Sequence, residues 1–69
     1  MIHHHVASSA VTDVGYDPAS RTLELRYTDN RVFLYFNVPD DLFNALLRTP
    51  DERFIERELR EKFCFVRTG

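Results

Sequence analysis

Residues 31–39, Arg-Val-Phe-Leu-Tyr-Phe-Asn-Val-Pro, form an aromatic-dense strand that ends at a proline and passes directly into a helix. Side chains alternate across a strand, so Val32, Leu34 and Phe36 share one face while Phe33 and Tyr35 share the other, and each face needs a partner. The whole chain has 69 residues, enough for one sheet and one helical layer but not for a second core. At this size only roughly 60% of the unfolded chain's surface is buried on folding. The nine aromatic residues and a 43% hydrophobic composition exclude intrinsic disorder, and two Gly and three Pro imply short connections.

Val11 to Asp17 reads as a strand with Val14 and Tyr16 on one face, and Asp17-Pro18-Ala19-Ser20 has type I turn chemistry. Thr22 to Thr28 alternates cleanly, with Leu23, Leu25 and Tyr27 facing one way and Glu24, Arg26 and Thr28 the other. A four-residue loop at 18–21 sets Tyr16 opposite Leu23 and Val14 opposite Leu25. A two-residue loop at Asp29-Asn30 then pairs Tyr27 with Val32, Leu25 with Leu34 and Leu23 with Phe36. In that register Phe33 and Tyr35 lie on the open face; a slip of one residue turns them into the core instead.

Pro39-Asp40-Asp41 suits a first helical turn, and Leu42, Phe43, Ala45, Leu46 and Leu47 follow at helical spacing. Thr49-Pro50-Asp51-Glu52 has the form of a capping box with Thr49 as N-cap. A second helix follows, with Ile55, Leu59 and Phe63 on one side and Arg53, Arg57 and Arg60 on the other. The expected architecture is α+β: a three-stranded antiparallel β-meander followed by two α-helices packed on one face. Residues 1–10 form a loose N-terminal segment and 11–69 a single domain.

The order Val6-Ala-Ser-Ser9, Val14-Gly15-Tyr16-Asp17, Leu23-Glu24-Leu25-Arg26-Tyr27, Val32 to Pro39, Phe43 to Leu47, Phe54 and Arg57 resembles the KTSC domain. That family is named for the C-terminus of some lysyl-tRNA synthetases and also occurs as a small stand-alone bacterial protein. The resemblance runs from Val6 to Arg67 and points to the stand-alone form. The family's central Tyr-x-Tyr motif falls on Phe33-Leu34-Tyr35, so one hydroxyl is missing here. The resemblance implies a binding domain, and attachment to a tRNA-handling enzyme suggests RNA.

On the expected open face, Phe33 and Tyr35 stand beside Arg26, Glu24, Asp13 and Gly15, and such rings offer unpaired bases about 1 to 3 kcal/mol of stacking each. Arg53, Arg57 and Arg60, joined by Arg48 and Arg67, form the candidate basic patch. The resulting expectation is a non-catalytic module contacting RNA such as tRNA through Arg26, Phe33, Tyr35, Arg53, Arg57 and Arg60. The alternative is a protein-interaction module in which the aromatic face makes a homodimer or grips a partner chain.

Three features temper the RNA reading. The net charge is −2, opposite in sign to that of proteins held mainly by phosphate neutralisation. Asp13 and Glu24 repel phosphate. Glu56 stands four residues before Arg60, and Arg57 four before Glu61, so the arginines also read as a solvated helix face.

No cofactor is implied. His3, His4 and His5 can chelate a transition metal, but a terminal run reads first as an unstructured end or tag remnant. Ser8 and Ser9 lack a legible base and oxyanion hole. Cys64, between Phe63 and Phe65, reads as a small apolar residue, and a single cysteine suits a reducing cytoplasm. No segment approaches a membrane span, so no membrane contact is expected.

Overall fold

A computed structural model describes residues 2–6 and 8–69; Met1 and Ala7, both within the expected loose segment, lie outside the described residues. Five strands run β1 (Ile2–His5), β2 (Val11–Asp17), β3 (Thr22–Tyr27), β4 (Val32–Tyr35) and β5 (Phe65–Arg67), and they lie in the order β1-β2-β3-β4-β5, all neighbours antiparallel. The expected strand count of three is therefore corrected to five. Ile2–His5, inside the segment expected to be loose, pairs with β2, and Phe65–Arg67 returns after the helices to flank β4.

The β2–β3 pairing is the one the sequence predicts, with Tyr16 opposite Leu23 and Val14 opposite Leu25. Its turn is held by the Asp17 carboxylate, which accepts from the Ser20 hydroxyl at 3.0 Å and the Ala19 N–H at 3.1 Å. Those two bonds hold the Asp17 carboxyl below the usual carboxylate range. Farther along, Val11 faces Tyr27 while Asp13 faces Arg26, so Thr12 is a bulged extra residue. The bulge lets Val11 and Val14, three positions apart, both reach the core.

The β3–β4 register is corrected. Leu25 pairs with Phe33 and Leu23 with Tyr35, placing Phe33 and Tyr35 in the core and Leu34 on the open face opposite Glu24. The loop has three residues, not two: Tyr27 N–H donates to the Arg31 carbonyl at 2.8 Å, and Asn30 N–H donates to the Tyr27 carbonyl at 3.0 Å. Asn30, at φ 70°, supplies the left-handed residue that such a loop requires. Asp29 locks it, accepting from Arg31 N–H at 3.2 Å and pairing with Arg31 Nε at 2.7 Å. The energetics agree, since aromatic side chains bury about 150–250 Å² each and gain most from the interior.

At the end of β4, Asn37 (φ 59°) turns the chain, and Val38 N–H donates to the Arg21 carbonyl at 2.9 Å. Helix α1 (Asp40–Arg48) starts there, capped by Pro39, and buries Leu46. Helix α2 (Glu52–Ile55) continues through Glu56–Arg60 as a wider π-helical turn, burying Ile55 and Leu59. Its N-cap is Asp51, whose carboxylate accepts from Phe54 N–H at 2.7 Å, rather than Thr49 as the capping-box reading predicts. Thr49 instead closes α1, its N–H donating to the Ala45 and Leu46 carbonyls. Asp51 wins because its extended backbone and short carboxylate place the acceptor directly at the first turn. The core is one cluster, from Val11, Val14, Tyr16, Leu23, Leu25, Tyr27, Phe33 and Tyr35 on the sheet to Val38, Leu46, Ile55 and Leu59 above it.

Candidate functional site

The sheet face away from this core has two halves. Across β1, β2 and β3 the facing rows are His3, Gly15, Glu24 and His5, Asp13, Arg26. His3 Nε2 lies 2.7 Å from Glu24 Oε1, and His5 Nδ1 lies 3.4 Å from Asp13 Oδ1. His3, Asp13, Glu24 and Arg26 line an open concavity of about 460 Å³. The rows continue across β4 and β5 as Leu34, Val66 and as Val32, and this half is apolar.

Among the residues whose side chains are described, strand β5 exposes the two large apolar side chains of greatest accessibility, Phe65 at 39% and Val66 at 46%. They point to opposite faces. Val66 sits opposite Leu34, whereas Phe65 leans against Tyr35 at 5.2 Å and Phe33 at 6.0 Å on the helix side.

The six site residues expected from the sequence are not brought together. Phe33 and Tyr35 are buried, Tyr35 completely, so the expected stacking platform is removed by the same register change that fills the core. Arg26 is exposed on the open face, opposite to the helical layer. Arg53 and Arg57 are exposed on the far side and share a shallow groove with Glu56 and Glu61. Arg60 departs from their stripe, because the π-helical turn widens the spiral before it. Its guanidinium pairs with Glu56 at 3.6 Å and reaches the neighbourhood of the Tyr27 and Tyr35 hydroxyls. Of the two expected helical pairs, Glu56 with Arg60 forms; Arg57 meets Glu58 at 4.0 Å.

The buried phenols carry the main electrostatic perturbation. Burial, reinforced by Tyr35, pushes the Tyr27 hydroxyl up to about 12, with Arg60 opposing. Neither the Tyr27 nor the Tyr35 hydroxyl has a hydrogen-bond partner among the described residues. The Tyr16 hydroxyl is also raised by burial, and it donates to the Val38 carbonyl at 2.5 Å. Arg31 lies over the Tyr27 ring at 5.1 Å from the ring centre and near Phe33 at 6.0 Å.

The Ser8 hydroxyl is engaged in structure. It donates to the Pro50 carbonyl at 2.6 Å and accepts from Ala10 N–H at 3.1 Å, tying the β1–β2 connection to the corner between the helices. Cys64 is a free, exposed thiol rather than a packed apolar residue, while its carbonyl accepts from Phe36 N–H. Among the described residues no group of three or more His, Cys, Asp or Glu side chains is disposed to hold a metal ion, and no helix is long and apolar enough to cross a membrane.

Leu34, Phe65 and Val66 were beyond the reach of the sequence expectation. The signal for β5 was the run Phe65-Val66-Arg67, aromatic and β-branched residues following the last helical turn.

A five-stranded meander roofed on one side by helices, with a half-polar, half-apolar open face, defines a small α+β domain. The family model of the KTSC domain matches residues 7–63, and the chain belongs to that family. A protein of Tsukamurella paurometabola is 39% identical over 62 residues, covering 88% of this chain and 92% of that protein. The crystal structure of a KTSC domain protein from Yersinia pestis superposes with a TM-score of 0.88 at 26% identity, covering 99% of this chain and 97% of that one. That superposition takes in both edge strands, which lie outside residues 7–63.

Proposed function

We propose that this KTSC domain is a non-catalytic interaction module that holds an extended protein segment along the β5 edge, beside the apolar half of the open face. The observation that carries the reading is that the exposed Phe65 and Val66 both belong to one short edge strand. An edge offers unpaired backbone N–H and C=O groups, and flanking apolar side chains give an added strand something to bury. The test is selection of displayed peptides on the full chain, with amide chemical shifts mapping the winners. Binders that perturb 64–68 and 32–35 support the reading. Binders that map elsewhere, or none at all from a monomeric chain, overturn it.

RNA contact is the second reading, supported by the exposure of Arg53 and Arg57 on one side of the molecule. It no longer has a stacking platform, and Glu56 and Glu61 stand in the same groove. Titration with bulk tRNA at two salt concentrations decides it. RNA binding requires an affinity that falls with a slope of roughly one per neutralised phosphate, and that weakens uniformly in Arg57→Ala. Weak binding with a flat salt dependence removes it.

A further inference from the structure

The two edges of the sheet are chemically unlike, and only one of them suits a copy of itself. We infer that β5 pairs antiparallel with β5 of a second copy of this chain about a two-fold axis through Val66, joining two five-stranded sheets into one of ten strands. This rests on the interaction-module reading and names its partner.

The backbone phase fixes which groups are free. Phe36 N–H donates to the Cys64 carbonyl at 3.0 Å and Thr68 N–H to the Val32 carbonyl at 2.8 Å, so Cys64, Val66 and Thr68 turn their backbone toward β4. Phe65 and Arg67 between them turn theirs outward. When Phe65 is set opposite Arg67 of the second copy, each outward N–H meets an outward C=O, and the pair repeats by symmetry.

The side chains match in the same register. On the helix side the Phe65 ring meets the guanidinium of Arg67 from the second copy, a favourable cation–aromatic contact made twice. On the open side Val66 meets Val66, extending the apolar row begun by Leu34 into the second copy's equivalent row. A foreign strand can use the same backbone groups but has no reason to present Phe and Arg two residues apart in reverse order. The β1 edge carries no such match, since its open-face side chains are His3 and His5, paired with Glu24 and Asp13. A three-residue edge buries little area, so the dimer is weak and reversible.

Sedimentation of the full chain from about 10 μM to about 1 mM tests this, in the range where small interfaces dissociate. The weight-average mass is expected to climb toward twice that of the monomer, and Val66→Asp to hold it at the monomer with an unchanged melting temperature. A second variant, Cys64→Ser with Val66→Cys, probes the register. Residues 66 face each other as a non-hydrogen-bonded pair with Cα atoms about 4.5 Å apart, within disulfide reach. The native Cys64 thiols of two copies lie roughly 14 Å apart along the strands and do not bridge. Oxidation should therefore crosslink the variant and leave the parent chain uncrosslinked. A chain that stays monomeric at the top concentration overturns the second copy as partner, as does a dimer that survives Val66→Asp or fails to crosslink through position 66. If the chain is monomeric while displayed peptides still map to β5, only this inference falls; if those peptides also fail, the module reading falls with it.

Discussion

At the β2 end of the sheet, Tyr16 donates to the Val38 carbonyl at 2.5 Å and stacks on Phe43 of α1, with ring centres 4.7 Å apart and planes 11° from parallel. At the β4 end, Tyr27 and Tyr35 are as deeply buried, yet their hydroxyls find no partner among the described residues. The same side chain thus closes one end of the domain and leaves polar capacity unused at the other. Above Tyr16 a regular helix is pinned to the strand exit. Above Tyr27 and Tyr35 lie a π-helical turn, Arg60 and the half-exposed Phe65. The open face divides along the same line, charged toward β1 and apolar toward β5. The exposed edge and the unsatisfied interior are the same end of the molecule.

Alkaline pH should break the contrast most strongly. The Tyr27 hydroxyl sits at about 12 in the folded chain against an ordinary 10, because burial and Tyr35 disfavour its anion. Below pH 10 it is protonated folded and unfolded, and its contribution is fully present. Between pH 10 and 12 the unfolded chain loses the proton first, so stability falls as pH rises, by roughly 3 kcal/mol across two pH units. Urea denaturation across that range should show the fall, and Tyr27→Phe should flatten most of it. Tyr16, raised in the same direction, leaves a smaller residue of the effect. A Tyr27→Phe chain as alkali-sensitive as the parent would refute this assignment.

Hydroxyl deletion at neutral pH sharpens the same comparison. Tyr16→Phe leaves the buried Val38 carbonyl without its donor and should cost about 1 to 3 kcal/mol. Tyr35→Phe removes a hydroxyl that has no partner and should be neutral or slightly stabilising. Thermal denaturation of the two variants side by side reads the difference. Equal losses would mean that the two ends are satisfied alike.

Much of this contrast could not be read from the chain. The β2–β3 register was legible because Asp17-Pro18 fixes the turn and Leu23, Leu25 and Tyr27 alternate without ambiguity. The next hairpin was not, because Asp29-Asn30 suits a two-residue loop as well as a three-residue loop with Asn30 in the left-handed region. One residue of loop then decides whether Phe33 and Tyr35 or Val32, Leu34 and Phe36 face the helices. That choice carried the whole expected aromatic site with it. Arg60 was misassigned because a 3.6-residue period cannot foresee a π-helical turn. The edge strands were too short to show a period of their own: β5 has three residues, and β1 consists largely of histidines.

The helical corner offers an intermediate effect. Asp51→Ala removes the carboxylate that accepts from Phe54 N–H at 2.7 Å and should cost about 1 kcal/mol. Thr49→Ala should cost less, since Thr49 contributes backbone rather than side-chain bonds at the end of α1. Chemical denaturation of both variants separates an Asp51 cap from a Thr49 cap; a larger loss at Thr49 would reverse the assignment.

The smallest effect belongs to the histidine edge. His3 and Glu24 lie 2.7 Å apart, but their side chains are 48% and 24% exposed, so water and salt screen the pair. A double-mutant cycle with His3→Ala and Glu24→Ala should give a coupling of at most about 0.5 kcal/mol, fading as salt is added. The pair then fixes a polar imidazole on the open face of the β1 edge, which offers an added strand little to bury, at little cost to stability. Val66, by contrast, presents its apolar side chain at the opposite edge with no such guard. A coupling well above 1 kcal/mol that persists at high salt would show β1 to be held by its histidines, and the two edges would then differ in rigidity as well as in chemistry.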